Sequence, residues 1–328
     1  MFAEAIESIL QHHCAPADVR AIETGASAQP LTTALQEAGF FGLLAPEQAG
    51  GGGAGWPEFH DVVALCGAYA VPIPLAQTLA ARRLVASPDD LPDGLVTFAP
   101  SLARAGDGSL QAQQVPCGRV AAHVIGAVGE DLVLLSAAEA HQLPSGVHGS
   151  LAASFRWQAG AGRVLRGGAE AAQLQPLAAL LHAALLAGAM KRSFDLTMTY
   201  ANERVQFGKS IGKFQAIQHQ LAVMAEHVAA ARMAAEAAFA TQEKLPALTA
   251  CAVAKARASE AAQLTASIAH AVHGAIGVTE EYDLQLYTRR LHEWRMAHGS
   301  ESYWNRVLGR LFVDSKLPLA TDFVRSLC

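Results

Sequence analysis

YANERVQFGKSIGKFQAIQHQLAVMAEH, residues 200–227, is the stretch from which the rest of the chain can be read. A helix entering from the Ala-rich segment before it ends near Arg204, because Gly208 and Gly212 follow at once and glycine is a poor helix former. The turn presents Arg204, Gln206 and Phe207, and Gln215 and Gln218 open the next helix. Phe214, Ile217, Leu221, Met224 and Val228 then recur at steps of three and four, which predicts one buried helix face. A planar guanidinium suits a phosphate, a phenyl ring offers an apolar face to an aromatic group, and amides add directional hydrogen bonds. The plainer alternative is an interhelical hairpin with Phe207 as a core plug and Arg204 solvated.

Working outward, everything from Leu174 onward is Ala-rich and helical, and Leu264, Ile268 and Val272 repeat the apolar stripe on a later helix. Several long antiparallel helices joined by short turns predict a bundle, with close alanine-lined approaches and part of the surface facing another subunit. The most apolar run, Leu174 to Met190, is interrupted by Gln175, Pro176 and His182, which predicts a buried helix rather than a membrane span. Upstream, short β-compatible runs appear at Leu95 to Phe98, Val120 to Ile125, Leu132 to Leu135 and Ser154 to Trp157, separated by Gly, Pro and Asp. Before them, helical patches at Leu31 to Phe40 and Glu58 to Ala70 alternate with the Pro46 to Gly55 run and with Pro72 and Pro74. The expected fold is mainly α with a small central β domain. The expected division is an N-terminal helical domain (1–90), a short β domain (91–170) and a C-terminal antiparallel helical bundle (171–328).

Composition narrows the function classes. The 328 residues are 52% hydrophobic and only 16% charged, with a formal net charge of -5 and no Lys/Arg block. That balance gives no footprint for a nucleic-acid backbone or an anionic membrane surface, so neither is expected as a partner. Cys14, Cys66, Cys117, Cys251 and Cys328 are odd in number and form no C-x-x-C pair, which argues against a disulfide framework or a zinc ribbon. Met1 to Leu10 carries Glu4 and Glu7 and lacks the pattern of a signal peptide, so a cytoplasmic location is expected.

Three motif matches fail on context. Gly50, Gly52 and Gly55 form a nominal G-x-G-x-x-G, but Pro46 to Gln48 precede it and Pro57 follows, where a dinucleotide turn needs a strand before and a helix after; a flexible surface loop is expected. Gly208, Lys209 and Ser210 resemble the end of a P-loop, yet Glu203 stands where its first glycine belongs. The pairs His12/His13 and His270/His273 lack the further ligands of a metal site, and none is expected. Neither a G-x-S-x-G elbow nor a cysteine-protease signature occurs.

The 200–227 segment, with R-x-x-F-G followed by I-x-x-F-Q-x-x-Q-x-x-L-A-x-M, resembles the signature of the acyl-CoA dehydrogenase family. GFFGLLAPEQAGGGG (39–53) is similar to that family's amino-terminal turn, and VHGAIGVTEEYDLQLYTRR (272–290) to its late block. The order helical, β, helical is also the family's. The resemblance implies FAD at a subunit interface, with Arg204 on the pyrophosphate, Gln206 and Phe207 on the adenylate side, Gln215 on another part of the cofactor, and Gly274 in the same contact. It implies α,β-dehydrogenation of an acyl-CoA thioester to a 2-enoyl-CoA.

Departures from the family pattern cluster at the chemistry. The glutamine of Q-x-x-G-G is replaced by Ala271 and its second glycine by Ala275, with His270 a candidate replacement. His298, Gly299 and Ser300 fall where the family has its glutamate-bearing E-G-T turn, and the alternative base position falls on Ala178. His298 is therefore the candidate catalytic residue, with Glu301 one turn on. The β-domain entrance, Leu95 to Leu110, lacks the family's E-x-x-x-G-S-D stretch. This combination resembles the shorter, base-lacking subunit of heteromeric bacterial acyl-CoA dehydrogenases of steroid catabolism. It implies a homo- or hetero-oligomer (a dimer of dimers), a full-length dehydrogenase partner and an electron-transfer flavoprotein as possible acceptor. Two other readings stand beside it: a homo-oligomeric flavoenzyme with a non-standard base, and a non-catalytic subunit keeping the fold for assembly.

Overall fold

The computed structural model describes residues 2–87 and 90–325. The chain forms two compact units. One comprises Met1–Val62, Val71–Leu181 and Gln242–Leu245, and the other Val63–Ala70, His182–Thr241 and Pro246–Cys328.

The first unit opens with α1 (Phe2–His13), α2 (Pro16–Glu23), α3 (Gln29–Glu37), the start of α4 (Trp56–Ala68) and α5 (Leu75–Leu84). Both α2 and α3 carry proline in their first turn, where its missing N–H costs nothing. Gly50 to Gly55 is tied down rather than loose, contrary to expectation. Gly52 N–H donates to the Gly42 carbonyl, Gly53 N–H to Ala45 and Ala54 N–H to Leu43, at 2.9–3.0 Å. A Cβ on Gly51 would lie 2.2 Å from the Ala45 carbonyl oxygen, so the glycine permits the close backbone approach that fixes the loop.

Eight strands follow: β1 (Val96–Ala99), β2 (Ala103–Arg104), β3 (Leu110–Val115), β4 (His123–Val128), β5 (Asp131–Ser136), β6 (His141–Pro144), β7 (Ala153–Trp157) and β8 (Arg163–Leu165). They make two four-stranded sheets, ordered β1-β4-β5-β8 and β2-β3-β7-β6. Only β1 with β4 is parallel. Residues from both sheets, among them Leu110, Val124, Leu135, Phe155 and Trp157, share one core. No strand is expected at β3, whose polar QAQQ stretch places exposed glutamines beside a bulge between Ala112 and Val115. β4 starts at His123 rather than Val120, because residues 117–121 form a hydrogen-bonded turn.

The long α6 (Leu174–Glu203) runs from the first unit into the second. It is long and apolar enough to cross a membrane, but 83% of its apolar window is packed inside the structure. The second unit continues with a hairpin of β9 (Val205–Gln206) and β10 (Lys209–Ser210), then α7 (Gln215–Phe239), α8 (Leu248–His273), α9 (Leu284–Met296), α10 (Glu301–Ser315) and α11 (Ala320–Arg325). The helix α8 packs against α7, α9 and α10. Of the stripe expected at 264, 268 and 272, Val272 is buried and Ile268 packs against the same small cluster, but Leu264 is exposed. Most of the buried face is instead alanine: Ala254, Ala258, Ala261, Ala262, Ala266 and Ala269 are fully buried. Alanine lets neighbouring backbones close in, so the periodicity of large residues captures only part of the core face. The same logic is extreme where α4 crosses α6: a Cβ on Gly188 would sit 1.8 Å from the Ala64 carbonyl oxygen. Cys14, Cys66, Cys117 and Cys251 form no disulfide, and Cys328 lies outside the described residues.

Candidate functional site

The two-residue turn of the β9–β10 hairpin is Phe207–Gly208, both left-handed (φ 50° and 81°), which is the primed turn that suits a tight hairpin. A bulky residue at positive φ is strained, and strain of this kind gathers at functional sites. Phe207 is also 90% exposed, so it plugs no core; its ring meets the edge of Phe214 at 6.2 Å. Arg204, Gln206 and Gln215 are exposed as well, and among the described residues the Arg204 guanidinium has no partner. Lys209 stands 4.4 Å over the Phe214 ring, adding a second cation to the same projection.

Gly274 ends α8 with φ 64° and ψ -144°, a conformation open essentially to glycine alone, and it is exposed with nothing within 4 Å of where a Cβ would stand. The Tyr200 hydroxyl donates to the carbonyl of the preceding residue, His273, at 3.3 Å. Gly274 thus belongs to the same face of the second unit as the base of the hairpin. The Nε2 of His270, the candidate replacement for the missing glutamine, lies 2.8 Å from Thr288 Oγ1, and its Nδ1 is buried.

A second cluster surrounds His298. The turn between α9 and α10 puts His298 in the left-handed region (φ 57°) before Gly299 (φ 104°). Its ring packs edge-on against His182 at 4.7 Å, and its carbonyl accepts from Trp304 Nε1 at 3.1 Å. His298 Nε2 is shut off from solvent with no hydrogen-bond partner among the described residues. Burial first, then His182 and Lys255, hold the His298 imidazole well below its usual range, so it is neutral at pH 7.

Sequence reasoning passed over Lys255. Its fully buried ammonium donates toward Ser259 Oγ at 2.8 Å and the carbonyls of Trp294 (3.0 Å), Arg295 (2.8 Å) and Gly299 (3.0 Å). Two of those carbonyls belong to the last turn of α9, which has no intrahelical donors for them. Burial pushes the amine down to about 7, with Glu301 pulling upward. Three carbonyl oxygens can only accept, so the ammonium is the form that fits. The same turn is clamped from outside by Arg295, whose Nε donates to Glu301 Oε2 at 2.9 Å and whose terminal nitrogen donates to Oε1. That pairing holds the Glu301 carboxyl below its ordinary range and removes it as a free base. Ala178, at the other expected base position, is a fully buried alanine.

The profile of the acyl-CoA dehydrogenase C-terminal domain matches residues 171–310. The chain is 32% identical over 301 residues to the acyl-CoA dehydrogenase IpdE2 of Mycolicibacterium smegmatis, covering 89% of this chain and 91% of that protein. The acyl-CoA dehydrogenase FadE34 of Mycobacterium tuberculosis is 31% identical across 85% of this chain and 41% of its own length. Among solved structures, a chain of the ChsE4–ChsE5 complex from Mycobacterium tuberculosis superimposes with a TM-score of 0.83 at 24% identity, over 97% of both chains. A variant of the Tcur3481–Tcur3483 steroid ACAD gives the same TM-score at 26% identity, over 95% of this chain and 97% of that one.

Proposed function

We propose that this chain, which belongs to the acyl-CoA dehydrogenase family, is the cofactor-completing subunit of an enzyme that carries out FAD-dependent α,β-dehydrogenation of an acyl-CoA thioester. The observation that carries this reading is the projecting hairpin. Arg204, Gln206 and a left-handed Phe207 stand exposed, and among the described residues the Phe207 ring meets the edge of Phe214. Their donor chemistry fits a dinucleotide. The guanidinium matches a pyrophosphate, the ring a flat heterocycle, and the Gln206 and Gln215 amides ribose or phosphate oxygens. The open backbone at Gly274 leaves room for close approach.

Bound there, FAD would supply the hydride acceptor for oxidation of the carbon β to the thioester carbonyl. This chain's residues bind and orient rather than react. Arg204 neutralises phosphate charge, Phe207 covers an aromatic face, and Gly274 admits the cofactor's approach to the end of α8. Proton removal from the α-carbon needs a base, and the candidates here suit the task poorly. His298 is neutral but pushed to weak basicity by burial, His182 and Lys255, while Glu301 is committed to Arg295. These features favour a base supplied by a second, full-length dehydrogenase chain over His298 itself. The ChsE4–ChsE5 complex and the steroid ACAD pair suggest the kind of two-chain assembly meant. On this reading the substrate is an acyl-CoA of lipid or steroid catabolism, with electrons leaving to an electron-transfer flavoprotein.

The test is the visible spectrum and mass of the protein purified alone and after co-expression with its genomic neighbour where that neighbour encodes a full-length dehydrogenase. A colourless lone chain that gains FAD and activity in the complex is expected. Stoichiometric FAD in the lone homo-oligomer would overturn the half-site reading.

A further inference from the structure

Tyr200 sits on the last turn of α6, one turn before Arg204, and the Arg204 N–H donates to the Tyr200 carbonyl at 2.9 Å. Its ring stacks on His273 with centroids 4.4 Å apart and planes 20° from parallel, and Tyr282 closes the group at 5.9 Å from Tyr200 and 5.0 Å from His273. The Tyr200 hydroxyl takes up the His273 carbonyl, one of the acceptors left without an intrahelical donor where α8 stops. His273 is held from its other side. Its Nδ1 lies 2.8 Å from the Ala269 carbonyl, which can only accept, so the proton is on Nδ1 and the ring plane is fixed. The imidazole is 4% exposed, and burial lowers its pKa, so it stays neutral and the stack carries no charge at ordinary pH. Below the rings, Ala201, Ile211, Leu221 and Val272 form one small core, so the foot of the hairpin and the end of α8 also share their apolar contacts.

We propose that Tyr200 is a positioning residue that locks the Arg204–Phe207 hairpin to the Gly274 turn through its stack on His273, so that the two present to the cofactor as one rigid piece. This rests on the reading of those two elements as cofactor-facing. A two-residue hairpin is marginal by itself, and two strands of two residues each cannot hold Arg204 at a fixed distance from Gly274. The aromatic stack supplies the missing constraint, and pre-organisation of this kind raises affinity without adding a ligand contact.

The experiment uses the FAD-loaded assembly and four variants: Tyr200→Leu, Tyr200→Phe, Arg204→Ala and the double variant Tyr200→Leu/Arg204→Ala. FAD affinity is read by flavin fluorescence, and amide exchange is read over residues 204–211 and 273–279. Tyr200→Leu should weaken FAD about tenfold, equivalent to about 1.4 kcal/mol, and accelerate exchange in both segments together. Tyr200→Phe, which keeps the stack and loses the hydroxyl, should cost about two- to threefold. If Tyr200 acts through Arg204, adding Tyr200→Leu to Arg204→Ala should weaken FAD by less than about threefold further. Tyr200→Leu within twofold of wild type while Arg204→Ala loses FAD would overturn the proposal, as would faster exchange in the hairpin with residues 273–279 unmoved. If Tyr200→Leu fails to assemble, His273→Leu takes its place with the same expectations. FAD unchanged in Arg204→Ala would instead defeat the cofactor reading, and the paired exchange response would still decide whether Tyr200 is the lock.

Discussion

Replacing Lys255 by methionine keeps the length and apolar stem of the side chain and removes only the ammonium. The change strips a donor from the carbonyls of Trp294, Arg295 and Gly299 and from Ser259 Oγ, all within 3.0 Å of Nζ. A buried polar group left unpaired costs about 1–3 kcal/mol. The Arg295 carbonyl keeps a donor in the Ser259 hydroxyl at 3.3 Å, so the carbonyls of Trp294 and Gly299 are the ones left unpaired. The low end applies to each of them, because removing the ammonium also removes its own desolvation cost, which its depressed pKa reports. The expected loss is therefore about 2 kcal/mol from summing those two carbonyls at that low end. In a unit of roughly 150 residues this corresponds to a fall in Tm of about 6 °C. Differential scanning calorimetry of the wild type and Lys255→Met measures it, with amide exchange over residues 294–300 locating the damage. Ser259→Ala, which removes one hydroxyl, should cost under about 1 kcal/mol. A Tm shift below about 2 °C in Lys255→Met, with unchanged exchange in the turn, would refute the assignment of Lys255 as the clasp of the α9–α10 connection.

The remaining expectations follow from the same geometry. Arg204→Ala should leave thermal stability within about 0.5 kcal/mol of wild type, since its side chain is exposed, yet abolish or greatly reduce FAD retention in the assembled enzyme, read by absorbance after gel filtration. His298→Gln should change the turnover of the assembly by less than about tenfold, where loss of a general base costs about a hundredfold or more; a hundredfold loss restored by no other change would make His298 the base after all. Because the folded pKa of His298 lies below its unfolded value of about 6.5, the unfolded chain binds the extra proton between the two. Stability from this residue is thus fully present above pH 6.5 and lost as pH falls toward the folded pKa. Urea titrations across pH 4–7 should show a shallower acid decline for His298→Gln than for wild type. Gly188→Ala should cost about 3 kcal/mol or more by driving its methyl into the Ala64 carbonyl, the upper range of overpacking, and a neutral result in calorimetry would show that α4 and α6 separate easily.

Much of this protein is written locally. The glycine pair at Gly208 and Gly212, the run of helix formers on either side and the apolar steps at Leu221, Met224 and Val228 specify the hairpin and α7, because turn chemistry and 3.6-residue periodicity act over a few residues. The strands at Val96–Ala99, Asp131–Ser136 and Ala153–Trp157 were legible for the same reason. The motif order also sufficed to recognise the family, and the absence of a carboxylate at residues 298 and 178 was visible in the letters themselves. What the sequence could not show depends on contacts between distant segments. The core face of α8 is lined by alanines whose burial comes from helices that close in on it, so Leu264 was misjudged. Lys255 reads as an ordinary surface lysine until folding brings the carbonyls of residues 294, 295 and 299 around it. Tyr200 and His273 are 73 positions apart, and their stack exists only because α6 and α8 end side by side. The charge state of His298 likewise depends on tertiary structure, since a histidine's charge is set by the burial and the neighbouring charges that the fold places around it.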